Sequence, residues 1–279
     1  TVGGNLAATA TTGNMTDSGA LAITGTSSFT TSASNATITL NTTTNAFTGA
    51  VTITTNDNSA DGSTDADVTI DGGTTALVLA TSTIDGDLTV RSGNASGITD
   101  SGTVTVGGNL AATTDANNGA INLGTLAVGG TVALTTHGSG NATVVNDEDL
   151  NFAASTVGGN LAAIATTGNM TDSGTVTVGG NLAAITDANN GVINLGTLAV
   201  DGSVSLHTHG SGNATVVNDA GLNFAASTVG GNLIATATTG NMTDSGALAI
   251  SGTSSFTTSA SGADITLDTT TNAFTGAVA

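Results

Sequence analysis

The chain has 279 residues, a net charge of −19 and no cysteine, proline, tryptophan, tyrosine or lysine; its charges are nineteen aspartates, Glu148 and one cation, Arg91. With almost nothing to neutralise phosphates, the composition excludes nucleic acid as a partner and anionic membrane surfaces as a docking site. The missing cysteines rule out disulfide staples, and 38% hydrophobic residues, with the large aliphatics kept in a strand pattern, suffice for a narrow core and argue against disorder.

Taken from the N-terminus, the chain is a succession of strand-like triplets: Leu21-Ala22-Ile23, Ile38-Thr39-Leu40, Val51-Thr52-Ile53, Val68-Thr69-Ile70, Leu88-Thr89-Val90, Val104-Thr105-Val106 and Ile121-Asn122-Leu123. Each sets large apolar residues on either side of a small or polar one, the period of two of a half-buried strand. No stretch carries a helical period. Threonine dominates the outward positions, where a β-branched side chain suits a pleated surface. Gly-Asn, Gly-Gly, Asp-Gly and Asn-Asn-Gly lie between the strands and turn the chain at little cost, and the absence of proline leaves every backbone N–H free to pair.

The triplets belong to repeats. An apolar residue, a glycine-containing turn and a second apolar residue recur from Val2-Leu6 to Phe274-Val278 at steps mostly of 21 to 24 residues, with longer steps of 29 and 37. This is the size of one coil of a strand solenoid, well short of the roughly 33 residues of helical repeats. The fold expected is all-β, a single continuous parallel β-solenoid over residues 1–279 with about twelve coils. The long steps predict looped-out coils near 56–73, 137–149 and 209–221. Two duplications overlie the coils: 103–156 returns at 175–228 with eight differences in 54 positions, and 1–52 returns at 228–279 with six in 52. Stacked coils lie about 4.8 Å apart, so equivalent residues fall above one another. The Asn after each Gly-Gly (Asn5, Asn109, Asn160, Asn181, Asn232) is therefore placed either to form a ladder or simply to make the turn.

Chemistry-bearing groups are sparse. The run from Asn56 to Asp67 offers Asp57, Asp61, Asp65 and Asp67 as oxygen ligands for Ca²⁺, without the closing glutamate of an EF-hand loop. No other cofactor is implied. His207 and His209, two apart on one strand face, form half of a metal site, but the earlier copy has Thr135 in place of His207. Asp17, Asp100, Asp172 and Asp244 stand in turns beside serines that lack a partnered histidine, so no activated nucleophile is expected and the chain reads as non-enzymatic. Asn-x-Ser/Thr triplets such as Asn14, Asn169 and Asn241 are expected to be mostly bare. Pairs such as Thr52/Thr54 and Thr103/Thr105 suggest a threonine ladder able to match a repeating lattice such as ice, but the steps of 29 and 37 are expected to break its regularity.

The recurring "TVGGNLAATATTGNMTDSGALAITGTSSF" and "NAFTGAV" resemble the repeat regions of giant bacterial surface proteins of the filamentous-haemagglutinin-like type, exported by two-partner or autotransporter routes. The resemblance, one of repeat style over the whole chain, implies a right-handed parallel β-helix, an extracellular or cell-surface location and a role as adhesin stalk or surface fibre. Its expected partners are neighbouring repeats of a longer chain, other copies of itself, or a host or cell-surface ligand, with no membrane insertion in this segment. The alternative is a self-assembling extracellular filament or sheath subunit, with a polysaccharide-active helix further behind.

Overall fold

Alternation of side chains decides where each strand faces. In the strand Ser27–Thr31, Ser27, Phe29 and Thr31 are buried while Ser28 and Thr30 point outward, and Leu161–Ala165 repeats the pattern with Leu161, Ala163 and Ala165 inside. A computed structural model, which describes residues 1–56 and 66–279, shows strands of two to eight residues and no helix among the described residues. The pairings between them are parallel, and the strands stack as a β-solenoid of about twelve turns. Parallel strands require a long crossover, and here each coil supplies it. Most of the pairs fall into a larger and a smaller sheet. The chain divides into two compact units, Thr1–Val144 and Val145–Ala279.

In the first unit the larger sheet stacks Leu6–Ala10, Ser27–Thr31 and Val51–Thr54, so that Ala8 lies against Phe29 and Phe29 against Ile53. The smaller sheet carries Ile38–Leu40, Val68–Asp71, Leu88–Ser92 and Leu110–Asn117 in register. Between them run columns of buried aliphatics such as Ile38, Val68, Leu88 and Leu110, none more than 1% exposed. Phe29 and Phe47 meet edge to face, with ring centroids 5.9 Å apart. In the second unit Leu161, Leu182 and Val204 stack in one column, and Phe224, Phe256 and Phe274 form an edge-to-face series at 6.4 and 5.8 Å. Such ring pairs contribute beyond the area they bury.

The longer steps of the sequence motif have a different meaning from the one expected. Residues 209–221 are not looped out: they contain the strand Ala214–Asn218, paired on both sides. Residues 137–149 likewise contain Ala142–Asn146, and the Ile121 N–H donates to Asn141 O at 3.0 Å. Around the second segment the coil closes at its ordinary length, with Val204 beneath Phe224 and Ala214 beneath Leu233. The glycine turn has moved to another face of the solenoid. Leu182 and Val204 follow their turns in the larger sheet, whereas Leu233 follows its turn in the smaller one. The first unit makes the same switch between Val51 and Leu88. Among the described pairings this coil alone is over-long in register, Ile38 pairing with Val68 and Thr54 with Thr83. It includes residues 57–65, which lie outside the described residues.

One recurring device closes the sharp corners. The hydroxyls of Thr31, Thr114, Thr136, Thr186 and Thr208, all buried, donate to the carbonyls of Ala36, Gly119, Gly140, Gly191 and Gly212. Each enclosed turn contains a residue of positive φ: Asn35, Asn118, Gly138, Asn190 and Gly210 in the same order. At Gly210 (φ 64°) a Cβ would also collide with the Asn189 and Asn190 side chains, so glycine is required twice over. Thr186→Val keeps the shape of the side chain but strands the Gly191 carbonyl. It is expected to cost about 1–3 kcal/mol and to speed amide exchange around 186–193, read by hydrogen exchange; unchanged protection there would contradict the role given to the hydroxyl.

Candidate functional site

Because equivalent positions lie one above another, a side chain at a corner reaches the backbone of the next coil. The Asn after each Gly-Gly uses this. Asn5 Oδ1 accepts the Thr26 N–H at 3.0 Å, and Asn109 Oδ1 accepts the Thr131 N–H at 2.8 Å. In the second unit Asn160, Asn181 and Asn232 accept the N–H groups of Asn181, Ser203 and Thr253, each at 2.8 Å. Of the two roles open to these asparagines, the structure shows the ladder, built from amide oxygen to backbone N–H. Aspartate serves equally: Asp67 Oδ1 accepts the Asp87 N–H at 2.8 Å, and Asp87 Oδ1 the Asn109 N–H at 2.7 Å.

A second kind of ladder contact uses the Asn-Met-Thr-Asp corners. Asn14, Asn169 and Asn241 accept the N–H groups of Thr37, Val192 and Asp264 at 2.9 to 3.0 Å. The aspartate three residues later is a clamp. Asp172 accepts the Gly196 N–H (2.9 Å), the Thr197 N–H (2.7 Å) and the Thr197 hydroxyl (2.8 Å), and Asp100 holds Gly124 and Thr125 in the same way. Asp17 and Asp244 instead take the side-chain amides of Asn45 and Asn272, together with backbone N–H groups of the same turns. These four carboxylates therefore grip the following coil, where a turn of their own was all that was expected of them. The signal was present in the sequence, where aspartate stands at 100, 172 and 244 with the same separation that relates 103–156 to 175–228. The serines beside Asp172 and Asp244 donate to Phe152 O and Phe224 O, each at 3.2 Å.

Asp57, Asp61 and Asp65 lie outside the described residues, and Asp67 is committed to the ladder through Asp87. Among the described residues no three His, Cys, Asp or Glu side chains are grouped to hold a metal ion. The Nδ1 atoms of His137 and His209 lie 2.7 and 2.8 Å from the carbonyls of Thr114 and Thr186; a carbonyl only accepts, so Nδ1 is the protonated nitrogen in both. Arg91 makes a two-pronged contact with Asp115 of the next coil, Nη2 at 2.7 Å and Nε at 3.1 Å. That hydrogen bond first, and the Asp115 charge second, raise the guanidinium pKa above its ordinary value. With both side chains about half exposed, the pair adds at most about 1 kcal/mol.

Two recesses open in the second unit where the motif changes face. One, of about 330 Å³, is lined by Asp201, Gly221, Asn223, Asn241 and Thr243; the other, of about 300 Å³, by Thr197, Leu198, Asp219 and Thr238. The first has a clear origin. Asp149 Oδ1 accepts the Asn169 N–H at 2.6 Å, and in the duplicated copy Gly221 replaces that aspartate beside Asn241, leaving space where the carboxylate stood.

A repeat family described as "Repeats of unknown function (DUF5649)" matches residues 1–54, 65–123, 139–205 and 211–279. The chain belongs to this family. Each DUF5649 match spans two to three coils, so the family unit is larger than one turn of the solenoid. No curated protein and no solved structure shows significant similarity to the chain. No helix among the described residues is long and apolar enough to cross a membrane.

The corner ladders separate two kinds of substitution. Asp172→Ala removes three charge-assisted acceptor contacts and is expected to cost about 1.5–3 kcal/mol. Asp87→Asn keeps the one acceptor oxygen that its position uses and relieves stacking of like charge on Asp67, so it is expected to be neutral or stabilising by up to about 1 kcal/mol. Urea melts of both variants test this, and equal destabilisation would contradict the ladder.

Proposed function

We propose that this chain is a structural spacer of an exported bacterial surface protein, a stalk or fibre segment whose task is to extend and to resist unravelling. The observation that carries the reading is the side-chain stitching of successive coils: Asn, Asp and Thr groups at the corners add coil-to-coil hydrogen bonds to those of the sheets. A spacer needs every coil tied to its neighbours, and here the tie is written into the repeat. The acidic composition, with one cation already paired to Asp115, keeps such a segment soluble and discourages lateral clumping. The resemblance in repeat style to filamentous-haemagglutinin-like surface proteins agrees with this role.

The alternative reading is a self-assembling filament, in which coils of separate copies would stack as successive coils do within this chain, Leu161 on Leu182 and Leu182 on Val204. Sedimentation and negative-stain electron microscopy of the purified chain separate the two readings. The spacer predicts monomers at micromolar concentration; long fibres would contradict it and support the filament.

A further inference from the structure

The register brings together an array that the spacing of the sequence motif conceals. On the outer face of the larger sheet in the first unit, Thr9 stacks on Thr30, Thr30 on Thr54, Thr54 on Thr83 and Thr83 on Thr105. The column continues unbroken across the over-long coil that was expected to interrupt it. Beside it, Ser28 pairs with Thr52 two residues earlier in their coils; the next coil then takes up one extra residue, since Val51 pairs with Leu79 but Thr54 with Thr83, and Thr81 and Thr103 flank the column just outside the strands. Four successive coils thus present two hydroxyl-bearing residues each, seven threonines and one serine, all exposed or half-exposed.

We propose that this face binds an ordered water lattice, that is, the surface of ice. The threonine column repeats about every 4.8 Å across the coils, a spacing fixed by the backbone. Threonine suits it because its β-branch holds χ1 nearly rigid, so methyl and hydroxyl groups keep their places without ordering cost on binding. Methyl groups restrict the orientation of the water around them, and hydroxyls anchor that water by hydrogen bonds. Charge points the same way. On a chain of net charge −19 the eight positions carry none, with Asp85 at one border, which matches a neutral repeating surface and not a charged partner. The smaller sheet supplies a contrast: its column Thr16, Thr39, Thr69 and Thr89 is flanked by Asp67, Asp87, Asp71 and Arg91. Crystalline polysaccharide, the other neutral lattice, calls for aromatic platforms, and the chain has no tryptophan or tyrosine.

The test is thermal hysteresis and ice-crystal shaping by the purified chain, beside Thr83→Lys, Thr54→Lys/Thr83→Lys and, as a control, Thr69→Lys on the other sheet, with folding checked by circular dichroism. The expected result is measurable hysteresis and faceted crystals for the unmodified chain and Thr69→Lys, with hysteresis at the level of buffer for both variants of the array. If the double variant fails to fold, the single variant decides. Absence of hysteresis from the folded, unmodified chain overturns the proposal, as does equal loss in Thr69→Lys. Binding to microcrystalline cellulose without ice shaping overturns it in favour of the other lattice.

Discussion

Parallel hydrogen bonding between successive coils is the constraint on which everything else depends. It fixes each residue above its equivalent one coil earlier, so that whatever stands at one position becomes a column. Aliphatic columns make the core, as in Ile38, Val68, Leu88 and Leu110. Asparagine and aspartate columns at the corners become ladders, each oxygen taking an N–H of the next coil. Outward threonines become columns of exposed hydroxyls, as in Thr9, Thr30, Thr54, Thr83 and Thr105. A chain with 2% aromatic residues and no disulfide holds its shape because every contact is repeated coil after coil, and the stability of such an array is close to a sum over neighbours.

The same constraint explains what the sequence could and could not disclose. Strand alternation in Val104-Thr105-Val106 or Leu88-Thr89-Val90 is a local property, so the all-β class and the coil size were legible in the residues alone. The ladder at Asn109 and Asn181 was legible only as one of two roles, because a turn asparagine and a ladder asparagine look alike until the next coil is placed above them. The long steps misled for a definite reason. The glycine turn marks a corner, not a fixed face, and each coil has several corners. When the turn moves from one corner to another, as between Val204 and Leu233, the step lengthens although the coil does not. The Asp172 clamp was missed similarly: its partners, Gly196 and Thr197, lie a full coil away.

For function, the consequence is a division of labour between corners and faces. The corners at Asn160, Asn181 and Asp172 are occupied in tying coils together, which fits a spacer. The faces are free to vary, and they differ: one column of the first unit is bordered by aspartates and Arg91, another is five uncharged threonines, Thr9, Thr30, Thr54, Thr83 and Thr105. Duplication also generates local novelty, since replacing Asp149 by Gly221 in the second copy leaves a recess where the first has a ladder contact.

The register across the over-long coil is where the stacking of columns is most open to challenge, because the motif and the structure disagree there. Matching the motif turns, Phe47-Val51 against Ile84-Leu88, would set Thr54 beside Arg91; the structure sets Thr54 beside Thr83. The chain has no native cysteine, so paired cysteines report directly. Oxidation of Thr54→Cys/Thr83→Cys is expected to form an intramolecular disulfide readily, since neighbouring strands lie within bridging distance, while Thr54→Cys/Arg91→Cys stays reduced. Cross-linking of the second pair and not the first would contradict the stacked register and the columns built upon it.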